Sequence, residues 1–228
     1  MSTTGNWRGP NILKDNLIIY LDPGSNNSFF EKTSTTIKDI SGNSNSGSLV
    51  NGPTYDSTNG GNLIFDGSND YADIVLPSGL TTLTVEAFIK WNSLNGGMFL
   101  GFNTYDIWTN GGTLGYNNGA SNVVGINAAT VTSLGLVGSW KHYVFTMNSS
   151  GLLSANKMHI NGTQQSISAV VGADGNIPGL GTTMRLCNWL SGGFAGSLTY
   201  GYVRGYSRAL TDAEILKNYN ASKTRFGL

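Results

Sequence analysis

The sequence predicts an all-β fold: two antiparallel sheets packed face to face as a jelly-roll sandwich, with one short C-terminal helix. Three observations predict it. Short apolar or alternating runs recur roughly every 10–15 residues, each bounded by Gly, Asn, Asp or Ser, as sandwich strands are. Glycine is abundant at 32 of 228 residues and proline scarce at 5, which suits many tight turns. A helix start stands out once, in "RALTDAEILKNY".

The elements follow in order. "NLIIYLD" (16–22) is a short apolar run of β-formers. "DISGNSNSGSLVNGP" (39–53) lies between it and the next strand, so it reads as a series of turns within one domain. The side chains of Asp39, Ser41, Asn43 and Asn45 are expected to brace its backbone, with a short strand at Ser48–Val50 and a turn at Asn51-Gly52. "NLIFDG" (62–67) and "YADIVL" (71–76) come next. "LTVEAFIKW" (83–91) alternates Val85, Ala87, Ile89 and Trp91 against Glu86, Phe88 and Lys90. "GMFLGF", "YDIWT", "TLGYNN", "WKHYVFTMN", "KMHINGTQQSI", "MRLCNWL" and "GSLTYGYVRGY" continue the pattern, and residues 126–138 read as strand and loop. Thr211 and Glu214 have the spacing of a capping box, and Ile215, Leu216 and Tyr219 supply an apolar face, so a helix is expected over Asp212–Tyr219.

Composition limits function. Lys+Arg and Asp+Glu balance at 13 each, so there is no electrostatic footprint for nucleic acid or an anionic membrane. Hydrophobic residues at 39% suffice for a core. The organisation expected is an N-terminal arm (1–15) and one domain (16–228). Cys187 is alone and reads as a small buried apolar residue. "MSTTGNWRGPN" lacks the apolar centre of a secretion signal, and no run reaches the roughly 18 apolar residues of a membrane span, so a soluble protein without membrane insertion is expected.

Catalysis is not expected. A retaining glycosidase needs two carboxylates about 5–5.5 Å apart, which i and i+2 on one strand can provide. Glu86 has Thr84 and Phe88 at those positions, Glu31 reads as a loop residue and Glu214 as a cap. His142 and His159 read as half-buried strand residues, and no G-x-S-x-G or phosphate loop is present.

"YLD", "DISGNSNSGSLVNGPTY", "GGNLIFDGSNDYADI", "LTVEAFIKW", "SWKHYVFTM", "HINGT" and "YSRALTDAEI" occur in that order, from about Leu17 to Tyr219. Together they resemble the laminin-G-like, concanavalin A-like jelly rolls. "GNWRGPNI" and "NYNASKTRFGL" resemble the subset found in tailed-phage structural proteins. The first resemblance implies two face-to-face sheets with loops at the rims. It also raises a structural calcium as a candidate cofactor, held by Asp66, Asn69, Asp70 and Asp73 of the FDG turn or by Asp39 and Asn43 of the Ser-Gly-Asn loop. The alternative is that these side chains cap turns without metal.

A glycan site would combine aromatic faces with Asn and Asp. Residues 95–122 offer Tyr105, Asp106, Trp108, Asn110, Tyr116 and Asn118, and a second segment offers Asn188 and Trp189. Trp108 and Trp189, flanked by polar turn residues, are expected to be exposed, and Trp91 and Trp140 to pack in the core or at an edge. The function expected is a non-catalytic structural protein on a virion surface (a decoration, head fibre or tail component), contacting other virion proteins and adhering to host glycan, with homo-oligomerisation open. The alternative is a free extracellular carbohydrate-binding module of cellular origin.

Overall fold

The computed structural model describes residues 11–93 and 96–228. In chain order the strands are β1 (Leu17–Leu21), β2 (Thr36–Ile37), β3 (Gly47–Val50), β4 (Thr54–Asp56), β5 (Asn62–Asp66), β6 (Tyr71–Val75), β7 (Thr82–Trp91), β8 (Met98–Gly101), β9 (Asp106–Asn110), β10 (Thr113–Asn117) and β11 (Val123–Ile126). Helix α1 (Ala128–Ser133) precedes β12 (Trp140–Asn148), β13 (Lys157–Ile160), β14 (Thr163–Gln165), β15 (Ser168–Val171), β16 (Thr183–Leu186) and β17 (Ser197–Tyr206), and α2 (Asp212–Ser222) follows. One sheet runs β14-β13-β12-β7-β17-β5-β4, and β1 continues the β5 side of β17. The other runs β15-β11-β10-β9-β8-β16-β6-β3-β2. All of these strand pairs are antiparallel.

Alternation builds the core. Leu83, Val85, Ala87, Ile89 and Trp91 of β7 face Phe99, Ile107, Leu114 and Tyr116 of the second sheet in one continuous cluster. The opposite side of β7 is buried as well. Thr84, Glu86 and Phe88 have no solvent contact because α2 lies across the outer face of the first sheet. Phe226, just beyond α2, stacks on Phe88 with centroids 4.2 Å apart. Gly201 admits that ring: a Cβ there would sit 2.3 Å from it, and β17 bulges at this point.

The cap on α2 is as read from the sequence. Thr211 Oγ1 accepts from Glu214 N, and Glu214 Oε2 accepts from Thr211 N at 2.9 Å. Thr211→Ala should cost about 1 kcal/mol in urea unfolding; an unchanged midpoint would mean the cap contributes nothing. The helix runs beyond Tyr219 to Ser222, whose hydroxyl accepts from the buried Arg204. Residues 126–138, read as strand and loop, instead hold only the last residue of β11 and then the short α1. Asn127 caps α1 by accepting from Thr130 N, a signal masked by the β-branched Val and Thr that follow.

The Ser-Gly-Asn segment is a braced turn. The Asp39 carboxylate accepts from Tyr20 N, Ser41 N, Ser41 Oγ and Asn45 N. Asn43 and Asn45 donate to the carbonyls of Leu17 and Ile18, tying the turn to β1. The part of the N-terminal arm that is described is not free: Ile12 is buried with Leu210 and Ile215, and Leu13 N donates to Asn218 Oδ1. The phage-like segment "GNWRGPNI" falls mainly on residues 1–10, outside the described residues.

Candidate functional site

The two sheets treat their outer faces differently. That of the first carries α2, whereas that of the second carries no long helix among the described residues and is crossed only by a loop. Register places Asn117, Asp106, Gly101, Arg185, Asp73 and Ser48 in one row across β10, β9, β8, β16, β6 and β3. Each is flanked along its strand by core residues such as Tyr116, Ile107, Leu100, Leu186 and Ala72, so the row points outward.

Arg185 organises this face. Its Nε and Nη2 donate to both Asp73 oxygens at 2.7 and 2.8 Å, and its guanidinium lies 3.7 Å from the Tyr71 ring centroid. Nη1 donates to the carbonyls of Trp189 and Leu190, fastening the loop after β16 onto the sheet. The Asp73 hydrogen bonds raise the Arg185 pKa. The loop turns tightly, Trp189 N donating to Gly193 O, and Trp189 Nε1 reaches Asn103 O at 2.6 Å.

The loop carries an aromatic ledge. Phe194 is 50% exposed, and the half-exposed Trp189 lies 6.1 Å from it centroid to centroid. Trp108 supports Phe194 edge-on from below at 5.6 Å. Asn103 and Ser191, hydrogen-bonded to each other, flank Trp189. Asp106, 2% exposed, lies against Gly101, where a Cβ would be 2.2 Å from its Oδ1; burial raises its pKa to about 7.

Several sequence expectations are corrected here. Trp108 is not exposed: it is 7% accessible, packed with Met98 and Val123, and its Nε1 donates to Asn122 O. It is on the outer face with Asp106 and Asn110, but the loop after β16 covers it, Phe194 lying edge-on against its ring. Tyr105 and Tyr116 lie in the core between the sheets, and the Tyr116 hydroxyl donates to Lys157 O. Asp106 and Asn188 are buried, and Asn110 and Asn118 are half-buried. Asn118 is occupied in holding Asn176 O. Of the predicted residues, Trp189 reaches the surface as an aromatic. Trp91 is core as expected, and Trp140 is half-buried against Phe226 with Nε1 on Asn59. His142 and His159 are fully buried, not half-buried. Asn95 falls outside the described residues.

The calcium candidates do not come together as one site. The β3–β6 pairing runs from Val50↔Tyr71 to Gly47↔Ile74, so the Asp39 loop and the Asp66 turn are at opposite ends of it. Asp39 is saturated by local donors, and both oxygens of Asp73 are committed to Arg185. Asp66 Oδ1 accepts from Ser68 N, Asp70 Oδ2 accepts from Asp66 N, and Asn69 O accepts from Asn51. Asn43 Nδ2 donates to Leu17 O and Ser41 Oγ. Among the described residues, no three His, Cys, Asp or Glu side chains cluster as metal ligands.

Sequence reasoning missed Arg185 and Tyr71. The signal for Arg185 was present: Met184 and Leu186 alternate around it, which marks a charged residue on the outer face.

A family profile described as the concanavalin A-like lectin/glucanases superfamily, of laminin-G type, matches residues 65–216. The chain belongs to this family. Its members supply the jelly roll seen here. Among solved structures it is similar to the receptor-binding domain of the botulinum neurotoxin C/D mosaic serotype, with TM-score 0.62 and 14% identity over 91% of this chain and 52% of that one. It is also similar to the botulinum neurotoxin serotype D ligand-binding domain in complex with N-acetylneuraminic acid, with TM-score 0.62 and 13% identity over 91% and 51%. This family member therefore spans about half the length of those domains. No curated protein matches it in sequence.

Proposed function

We propose that this lectin-like chain is a non-catalytic adhesion module that holds glycan on the open face of its nine-stranded sheet. The observation that carries this reading is the Trp189–Phe194 ledge beside Asn103, Ser191 and the Arg185–Asp73 pair. Aromatic faces take sugar C–H surfaces while the polar groups orient hydroxyls. A catalytic dyad is not supported on this face. Asp106 and Asp73 are three strand spacings apart, roughly 14 Å, against about 5–9.5 Å for either hydrolytic mechanism. Glu86 is sealed under α2.

Trp189→Ala should leave the melting temperature within a few degrees and abolish binding on a glycan array. Retained binding would remove the ledge from the site. Incubation with β-glucans, galactans and bacterial surface polysaccharides should release no reducing ends; steady release lost in Asp106→Asn would make the protein an enzyme.

The resemblance of "NYNASKTRFGL" to tailed-phage structural proteins supports a place on a virion, among other virion proteins. A second reading, an extracellular receptor-binding module, is favoured by the neurotoxin receptor-binding domains that share its fold, one of them holding N-acetylneuraminic acid. Antibody labelling distinguishes the two: label on purified particles supports the first, and label confined to the culture supernatant supports the second.

A further inference from the structure

We propose that Asn110-Gly111, at the tip of the β9–β10 hairpin, is a self-modification site: Asn110 loses its side-chain amide through a cyclic imide and becomes a carboxylate. The chemistry needs no ligand and stands apart from the adhesion reading. Asn110 follows Asp106 and Trp108 at two-residue steps along β9, so the new charge appears on the outer face of the open sheet.

Asparagine followed by glycine is the reactive pair, because a residue without Cβ lets its backbone nitrogen reach the preceding side chain. The sequence has six such pairs, beginning at Asn51, Asn59, Asn95, Asn110, Asn118 and Asn161. Asn95 lies outside the described residues, which leaves five to compare. Ring closure needs an uncommitted Asn amide and an uncommitted Gly N–H, so the fold chooses among them.

Four of the five are tied. Asn59 donates to Arg225 O and accepts from Trp140 Nε1. Asn118 donates to Asn176 O, and the attacking nitrogen, Gly119 N, is itself bound to Asn117 Oδ1. Asn161 Oδ1 accepts from His142 N, and Leu216 would lie 3.0 Å from a Cβ on Gly162. Asn51 is exposed, but its Nδ2 is held by Asn69 O at 2.9 Å. Asn110 differs. Its backbone carbonyl accepts from Thr113 Oγ1, while its side-chain amide and the Gly111 N–H have no partner. Gly111 and Gly112 have φ of 58° and 80°, the two-residue turn of a tight hairpin. A Cβ on Gly111 would meet nothing within 4 Å, and Gly111 is exposed, so the ring has space and water.

The Gly111 nitrogen gives up its proton and attacks Asn110 Cγ. The N–Cγ bond forms, the Cγ–Nδ2 bond breaks, and Nδ2 leaves with that proton as ammonia. Water then opens the imide. Addition at Cγ restores the chain with Asp at 110; addition at the backbone carbonyl carbon routes the chain through the side chain as isoaspartate. One water is consumed and one ammonia released, with no change of oxidation state. Either product takes the net charge from 0 to −1.

The test is incubation of the whole protein in mildly alkaline buffer, native and in urea, with each Asn-Gly pair followed by peptide mass spectrometry and the intact protein by anion exchange. In the native protein Asn110 should convert several-fold faster than Asn51, Asn59, Asn118 or Asn161. In urea, where the hydrogen bonds are gone, that lead should disappear. Asn110→Gln, which would need a larger ring, should lose the first acidic species on the column and keep the native fold. The proposal is overturned if another described pair leads in the native protein, if Asn110 keeps the same lead in urea, or if Asn110→Gln leaves the first acidic species in place.

Discussion

Glu86→Ala should lower stability by about 3–5 kcal/mol, because it leaves a buried guanidinium without its counter-ion. Glu86 and Arg204 are both fully buried on the outer face of the first sheet, with Arg204 Nη1 2.8 Å from Glu86 Oε1. Asn218 of α2 donates to Glu86 Oε2 at 2.9 Å, and Arg204 lies 3.4 Å from Ser222 Oγ. The guanidinium also sits between the rings of Tyr20 and Tyr202, 4.5 and 3.9 Å from their centroids. The pair thus joins β7, β17 and α2, and its loss should loosen the helix as well as the sheet. At about 2–4 °C per kcal/mol for a chain of this size, the melting temperature should fall by roughly 10 °C.

The same carboxylate sets an acid limit. Burial alone would raise its pKa; the adjacent His142, with Nε2 3.6 Å away, and the Arg204 charge more than reverse this and leave it at about 2, below the ordinary 4.5. A carboxylate whose folded value is depressed stabilises the fold above its unfolded value and loses that contribution as pH falls through its folded value. The unmodified protein should therefore lose stability between about pH 4.5 and 2, and Glu86→Ala should lose markedly less over that range. Glu214, held at about 2 by Arg208, titrates in the same window but near the surface, where ion pairs contribute little. Urea unfolding at pH 7 and pH 3 measures both effects. A Glu86→Ala protein as stable as its parent would remove the ion pair from the account of how α2 is held.

Trp108→Ala should cost about 3–5 kcal/mol, the range for deleting a buried large aromatic. Its ring packs with Met98 and Val123, carries Phe194 edge-on and donates to Asn122 O. The ledge above it should collapse too, so glycan binding should fall together with stability. Trp189→Ala should lose binding alone. Paired thermal melts and array binding separate the two; a Trp108→Ala protein with native melting temperature would return Trp108 to the surface.

The sequence alone determined the sandwich. Alternation along β7, turn residues at regular spacing and the Thr211–Glu214 box are local signals, and local geometry obeys them. It also determined that Asp39 would brace its turn, since an Asx side chain reaches the backbone two residues on. What it could not determine was which side of each strand meets water. Strand alternation separates two faces without naming the exposed one; here α2 covers Glu86, Phe88 and Arg204, and the loop after β16 covers Trp108. Nor could it place Asp73 beside Arg185, 112 residues later in the chain. That pairing arises from the register of β6 against β16, and register is settled only when the whole sheet assembles.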